Sequence, residues 1–399
     1  MTIRYFTRSK LHPWAGWLIA APITLSLLLS ACTQLSALSS SSPQGAGTSN
    51  TATASSALIS RNVPAFASSG YSPPNDANDG SYDTAWRSQG VPSWLAYDLS
   101  GVPVARRGKV LVVWYNESYD YDHTLIKTYA YNLPEDYTLE VNSASGGSDP
   151  PESGWKTLIS VKGNHYHSRQ HLIDISGNNW LRIHVTVSDG APENEDAHLN
   201  MDVYNASAGL ADDWIFYGDS ITAGAMGHLT MGGIPTFAQL INAKKPAYFP
   251  AQESGGTSYL TSIEGANDLK NWLPLFPGKY VALSYGTNDA NGCVNPQTFS
   301  ANYTNMVQAV LAAGKIPLVP HLPWGRMSNI QNCGPALNAQ IDALYKAFPQ
   351  IIQGPDLWAF FQAHQSLISS DNIHPTEAGF GALRQQWANS VLASMYAKQ

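Results

Sequence analysis

The stretch Trp214-Ile215-Phe216-Tyr217-Gly218-Asp219-Ser220-Ile221-Thr222-Ala223-Gly224 decides how this chain is read. Four large apolar residues in succession suit a strand covered on both faces, as in a parallel sheet. Gly218 permits a sharp turn, and Ser220 is left at the carboxyl end of the strand. Open α/β sheets carry their chemistry along that edge. Ser220 is therefore a candidate nucleophile.

A serine hydroxyl needs a base to take its proton. The segment Asp371-Asn372-Ile373-His374-Pro375-Thr376 supplies one. Its spacing lets a single short loop carry both groups, with His374 facing Ser220 and Asp371 holding the other ring nitrogen. Between them, Tyr285-Gly286-Thr287-Asn288-Asp289 follows another apolar run. The Asn288 amide can donate to a developing oxyanion there, or simply cap a helix. Ser254-Gly255-Gly256-Thr257-Ser258 offers a further backbone N–H. Asp219 and Asp289 are read as loop braces rather than reacting groups.

These four blocks, in this order, resemble the SGNH (GDSL-type) hydrolase family over roughly the last half of the chain. The resemblance implies a flavodoxin-like α/β domain with a parallel sheet. It implies Ser220, His374 and Asp371 as catalytic residues. The oxyanion hole would be formed by Ser220, Gly255 and Asn288, with Gly256 the neighbouring alternative to Gly255.

The remaining chain divides by composition. Arg4, Arg8 and Lys10 precede an apolar stretch from Trp14 to Leu29, too short for an ordinary membrane span. Leu29-Ser30-Ala31-Cys32 resembles a bacterial lipobox. That resemblance implies removal of residues 1–31 and lipidation of Cys32, tethering the protein to the extracytoplasmic side of a membrane. An ordinary secretory signal or an uncleaved anchor are the alternatives. Residues 32–59 are rich in Ser, Ala and Thr and read as a flexible tether.

From 60 to 207 short strand-like runs alternate with turn clusters. They include Lys109 to Tyr115, Tyr137 to Val141 and Trp180 to Val187, and they predict an antiparallel β-sandwich. The segment Ala77 to Ser88, followed by Trp94 to Leu99, resembles a discoidin-like (galactose-binding-like) jelly roll. That family often binds sugars at loops of one end. Trp86 and Trp94 are read as core. The Tyr115–Tyr131 segment, dense in Tyr, Asp and His, is a candidate glycan-binding loop or a packed one. Asp79 and Asp83 are candidates for a structural calcium.

From 208 to 399 strand and helix patterns alternate. Strands are expected at Ala247 to Phe249, Lys279 to Ser284 and Ile316 to Val319. Helical stripes run over Pro296 to Ala313, through Leu337 to Phe348, and through Phe380, Leu383, Trp387 and Val391. Trp324 and His321, after the fourth strand, are candidate substrate contacts. Cys293 and Cys333 are placed in loops and, in an exported protein, are expected to pair. No metal cluster, phosphate loop or nucleic-acid patch stands out, and the net charge of −7 argues against a polyanionic partner.

A jelly roll before an SGNH domain looks like the arrangement in some carbohydrate esterases. The expectation is an exported serine esterase acting on O-acetyl groups of a polysaccharide, without a cofactor. An esterase or lipase on small or lipid esters, and a non-catalytic glycan-binding lipoprotein, are the alternatives.

Overall fold

A strand run that is apolar throughout, rather than at every second residue, has to be covered on both faces. The segment Lys109–Tyr115 is such a run, and its surroundings show how the chain is assembled. Val110, Val112 and Trp114 point into the core of an antiparallel sandwich. Leu111 and Val113, on the other face, pack with Leu58, Tyr204 and Ala251. Ala251 belongs to the α/β half, so that half covers the outer face of the sandwich.

The computed structural model describes residues 57–82, 84–116, 119–122, 127–130, 132–189, 196–227 and 234–397, with backbone only for 119–122 and 127–130. These lie within one compact unit. The Cys32 site, the tether up to residue 56, Asp83 and the remainder of the Tyr115–Tyr131 segment fall outside the described residues.

The sandwich strands are β1 (Ala65–Ala67), β2 (Trp86–Arg87), β3 (Ser93–Asp98), β4 (Lys109–Tyr115), β5 (Tyr119–Asp122), β6 (Lys127–Ala130), β7 (Pro134–Asn142), β8 (Lys156–Val161), β9 (Ser168–Asp174), β10 (Trp180–Ser188) and β11 (His198–Asn205). One sheet has the order β1-β3-β10-β7-β8 and the other β2-β11-β4-β9, while β5 and β6 pair with each other. Trp86, Tyr97, Trp114, Leu139 and Ile183 fill the space between the two sheets. Trp114 meets Tyr137 edge-on at 5.5 Å. Trp94 is only half-buried, with the Arg182 guanidinium over its ring. Leu58 and Ile59, expected at the end of the tether, are buried, and the Ile59 N–H donates to Val203 O at 2.8 Å. The folded part thus begins before residue 60.

The α/β half contains β12 (Asp213–Gly218), α1 (Ser220–Met226), α2 (Phe237–Lys244), β13 (Ala251–Gly256), α3 (Ser262–Trp272), β14 (Tyr280–Ser284), α4 (Thr287–Asn291), α5 (Pro296–Ala312), β15 (Ile316–His321), α6 (Ser328–Ala347), β16 (Ile352–Asp356), α7 (Leu357–Ala363) and α8 (Glu377–Ser394). Its sheet has the order β13-β12-β14-β15-β16, and every pairing is parallel. Ile215 and Tyr217 face the layer of α3, α5 and α6, whereas Trp214 and Phe216 face α1, α2, α7 and α8. That division explains the four apolar residues in a row.

Two strands depart from the sequence reading. The second strand is Ala251–Gly256, not Ala247 to Phe249. Its polar Ala-Gln-Glu-Ser-Gly-Gly sequence gives no hydrophobic signal, yet every residue is buried because the sandwich covers this edge. Tyr248 instead packs against Tyr396, with ring centroids 5.0 Å apart. The fifth strand, β16, was not anticipated. It carries Gly354 and Pro355, which weaken a strand pattern and are tolerated at a sheet edge.

Candidate active site

The turn after β12 places the first residue of α1 at the carboxyl edge of the sheet. Asp219 is the N-cap, and its side chain accepts from the Ile221 N–H at 2.9 Å. Burial pushes the Asp219 carboxyl up to about 6, the capping bond opposing that shift. Ser220 follows as the first helical residue. Arg384, buried within α8, donates to the carbonyls of Ala225, Pro235 and Gly227, which fixes the far end of this short helix.

Ser220 Oγ lies 2.7 Å from His374 Nε2. His374 Nδ1 lies 2.6 Å from Asp371 Oδ2. The other carboxylate oxygen accepts from the Ile373 N–H at 2.9 Å, the His374 N–H at 3.0 Å and Ser369 Oγ at 2.6 Å. Burial works to raise the Asp371 carboxyl, but the hydrogen bonds from Ser369, Ile373 and His374 outweigh it and hold the group well below the usual carboxylate range. Asp371 is therefore ionised at neutral pH.

Arg326 braces this loop, a role that no local sequence pattern announces. Its Nε donates to Asn372 Oδ1 at 3.0 Å and its Nη2 to Ile368 O at 2.8 Å. Its backbone N–H donates to Asn372 O at 2.8 Å. Asn372 itself holds a positive φ of 69°, a conformation asparagine tolerates better than most residues.

Asn288 is the second residue of α4, after Gly286 at φ 131°. Its Nδ2 donates to Leu260 O at 2.8 Å, leaving the second amide hydrogen for another acceptor. Asp289 accepts from the Ser262 N–H at 2.9 Å and Ser262 Oγ at 2.6 Å. The loops after β13 and β14 are thereby laced together, and both Asp219 and Asp289 brace backbone. Gly255 stands opposite Tyr217 in the ladder and Gly256 opposite Gly218. A Cβ at Gly255 would lie 2.5 Å from the Tyr217 ring, and one at Gly256 would lie 2.4 Å from the Ala223 nitrogen. Both positions demand glycine because of close approach. Gly255 also borders a small cleft, to which the sandwich contributes Tyr166, His167 and Ser168.

The two candidate substrate contacts, Trp324 and His321, have the following surroundings. Trp324 is 6 % exposed and belongs to the apolar cluster with Leu318, Leu357 and Phe361. His321 sits between two carboxylates, with Nε2 3.1 Å from Asp342 and Nδ1 3.4 Å from Asp356. Both ring nitrogens are engaged by these carboxylates. Cys293 and Cys333 are bonded, with Cα atoms 5.4 Å apart. Cys333 lies inside α6 rather than in a loop, so the bridge ties that helix to the end of α4. Asp79 accepts from the Ser81 N–H and Thr84 Oγ1, as a turn-former does. Among the described residues no group of three or more His, Cys, Asp or Glu could hold a metal ion.

Residues 216–382 match the GDSL-like lipase/acylhydrolase family. Solved structures with similarity to this chain include a lipase/acylhydrolase from Enterococcus faecalis, 18% identical, with 45% of this chain and 95% of that chain covered at a TM-score of 0.38. A Bacillus subtilis protein is 14% identical, with 82% and 88% covered at a TM-score of 0.43. A chitosan-binding module from a Paenibacillus chitosanase/glucanase is 23% identical, with 37% and 98% covered at a TM-score of 0.29. No curated protein matches the chain. The C-terminal part of the chain is a GDSL-type lipase/acylhydrolase domain. The protein is accordingly a serine ester hydrolase.

Proposed function

We propose that the protein removes O-acetyl groups from a carbohydrate through a Ser220-His374-Asp371 triad. The observation that carries the triad is the relay of two short contacts, 2.7 Å from Ser220 Oγ to His374 and 2.6 Å from His374 to Asp371. It joins residues 154 positions apart in the chain, which chance packing of a turn serine would not require.

In this reaction His374 Nε2 takes the Ser220 hydroxyl proton while Oγ attacks the acyl carbon. The oxyanion is held by the N–H groups of Ser220 and Gly255 and by the free hydrogen of the Asn288 amide. Asp371 stabilises the imidazolium. His374 then protonates the departing sugar hydroxyl, and water repeats the sequence on the acyl-enzyme to release acetate.

The carbohydrate assignment rests on architecture. A β-sandwich covers the edge strand next to the nucleophile, and Tyr166, His167 and Ser168 of the sandwich share a cleft with Gly255. The jelly-roll resemblance of the sandwich, with the lipobox at Cys32, completes the proposal of an exported, lipid-anchored enzyme working on polysaccharide near a membrane. Acetate release from a panel of acetylated glycans is the test, with Ser220→Ala as control. Release by the parent and not by the variant is expected. Hydrolysis confined to long-chain acyl esters would replace this substrate class with lipids.

A further inference from the structure

The loop between β13 and α3 is pinned at each end. The Thr257 N–H donates to Gly218 O at 3.0 Å, two residues before the nucleophile. Leu260 is fully buried, and its carbonyl receives the Asn288 amide at 2.8 Å. Thr261 caps α3 through a reciprocal pair with Glu264. Within this fixed loop Tyr259 is 70 % exposed and holds φ at 66°. A tyrosine gains nothing there for the fold: its ring is outside the core, and its backbone occupies a region that glycine or asparagine enters with less strain. Strained, exposed residues over-determined by their neighbours gather at functional sites. Of the exposed large apolar residues among the described ones, Tyr71, Val104 and Val187 lie on the sandwich, whereas Tyr259 and Ile263 follow β13 at the edge of the sheet that carries Ser220.

We propose that Tyr259 is a specificity-determining residue whose ring forms the face on which the alcohol part of the ester, a pyranose ring, rests during attack by Ser220. The inference deepens the proposed deacetylation and rests on it. An acetyl group is too small to reach from the reacting carbon to an exposed side chain, so the larger alcohol is the part that meets Tyr259. A flat aromatic ring offers its face to the C–H face of a sugar.

The test compares glucose pentaacetate with ethyl acetate as substrates. Tyr259→Ala is expected to lower kcat/KM for glucose pentaacetate roughly tenfold, mostly through KM, and to leave ethyl acetate within a factor of two. Tyr259→Phe keeps the ring and should behave as the parent on both. Tyr259→Gly should show the same KM rise together with a melting temperature higher by about 2 °C, since the backbone strain is released. Unchanged kcat/KM of the alanine variant on the sugar ester overturns the proposal. Equal loss on both esters also overturns it, because Tyr259 would then act only by placing Asn288. Selective loss on esters of longer acyl chains would put an acyl group at this face and likewise refute the sugar contact. A parent inactive on both acetates, with Ser220→Ala indistinguishable from it, would remove the underlying deacetylation instead.

Discussion

Arg326 Nε donates to Asn372 Oδ1 at 3.0 Å, so a residue before α6 holds the loop that presents His374. The same guanidinium reaches Ile368 O, and the backbone N–H of Arg326 reaches Asn372 O. The Asp–x–x–His segment is thus clamped from outside as well as by its own hydrogen bonds.

Replacing this fork by a point charge should loosen the imidazole without removing any reacting group. Arg326→Lys is expected to lower kcat by about 10- to 100-fold with a small change in KM, because sub-ångström misplacement is costly in an oriented site. Steady-state kinetics on a small acetate ester measure it. Parent-like kcat would mean that Asp371 and its backbone bonds suffice to place His374.

Asn288→Ala removes the proposed amide donor and should reduce kcat by about 10²–10³. The loss includes release of Leu260 O, which the same amide binds. Asn288→Asp keeps the shape but not the donor and should be no better. A rate within a few-fold of the parent in either variant would make Asn288 a loop-shaping residue only.

The contacts of Ser220 with His374 and of His374 with Asp371 were legible because each residue lies in a short block whose residues act locally. Gly218, Asp219 and Ser220 form a strand-to-helix turn, and Asp371 reaches His374 within one loop. The surroundings of Trp324 and His321 were not legible in the same way. The strand end fixes their level in the sheet but not the side to which they turn. Trp324 turned into the apolar layer under α7, and His321 turned toward Asp342 of α6 and Asp356 at the end of β16. The strand Ala251–Gly256 was hidden because its burial comes from a separate domain, so no periodicity in its own residues records it. Arg326 and Arg384 act on carbonyls far away in sequence, and no local pattern announces that.

The buried Asp219 makes stability depend on pH. Its carboxyl titrates at about 6 in the folded protein, against 3.8 ordinarily. A raised carboxylate contributes no penalty below pH 3.8, where both states are protonated, and the penalty grows as pH rises through 6. Asp219→Asn can keep the cap to Ile221 and remove that penalty. The variant should therefore gain stability over the parent as pH rises, approaching about 3 kcal/mol above pH 7. Urea unfolding at pH 4 and pH 8 measures the difference. A gain equal at both values would show that the carboxyl does not titrate in this window.

The Cys293–Cys333 bridge closes a loop of 40 residues. Replacing both cysteines by serine should cost roughly 4 kcal/mol in the chain-entropy account, read from the urea midpoint. Because the bridge joins the end of α4 to α6, catalytic loss should be modest in protein that remains folded. A folded double variant with parent-like stability would contradict the estimate.

We propose Ser220 as the nucleophile and His374 as its base. Covalent labelling with a fluorophosphonate, followed by peptide mass spectrometry, addresses it most directly. One adduct per chain is expected, on Ser220, absent in Ser220→Ala and strongly slowed in His374→Ala. An adduct on another serine, or undiminished esterase activity in a protein fully labelled at Ser220, would contradict the assignment.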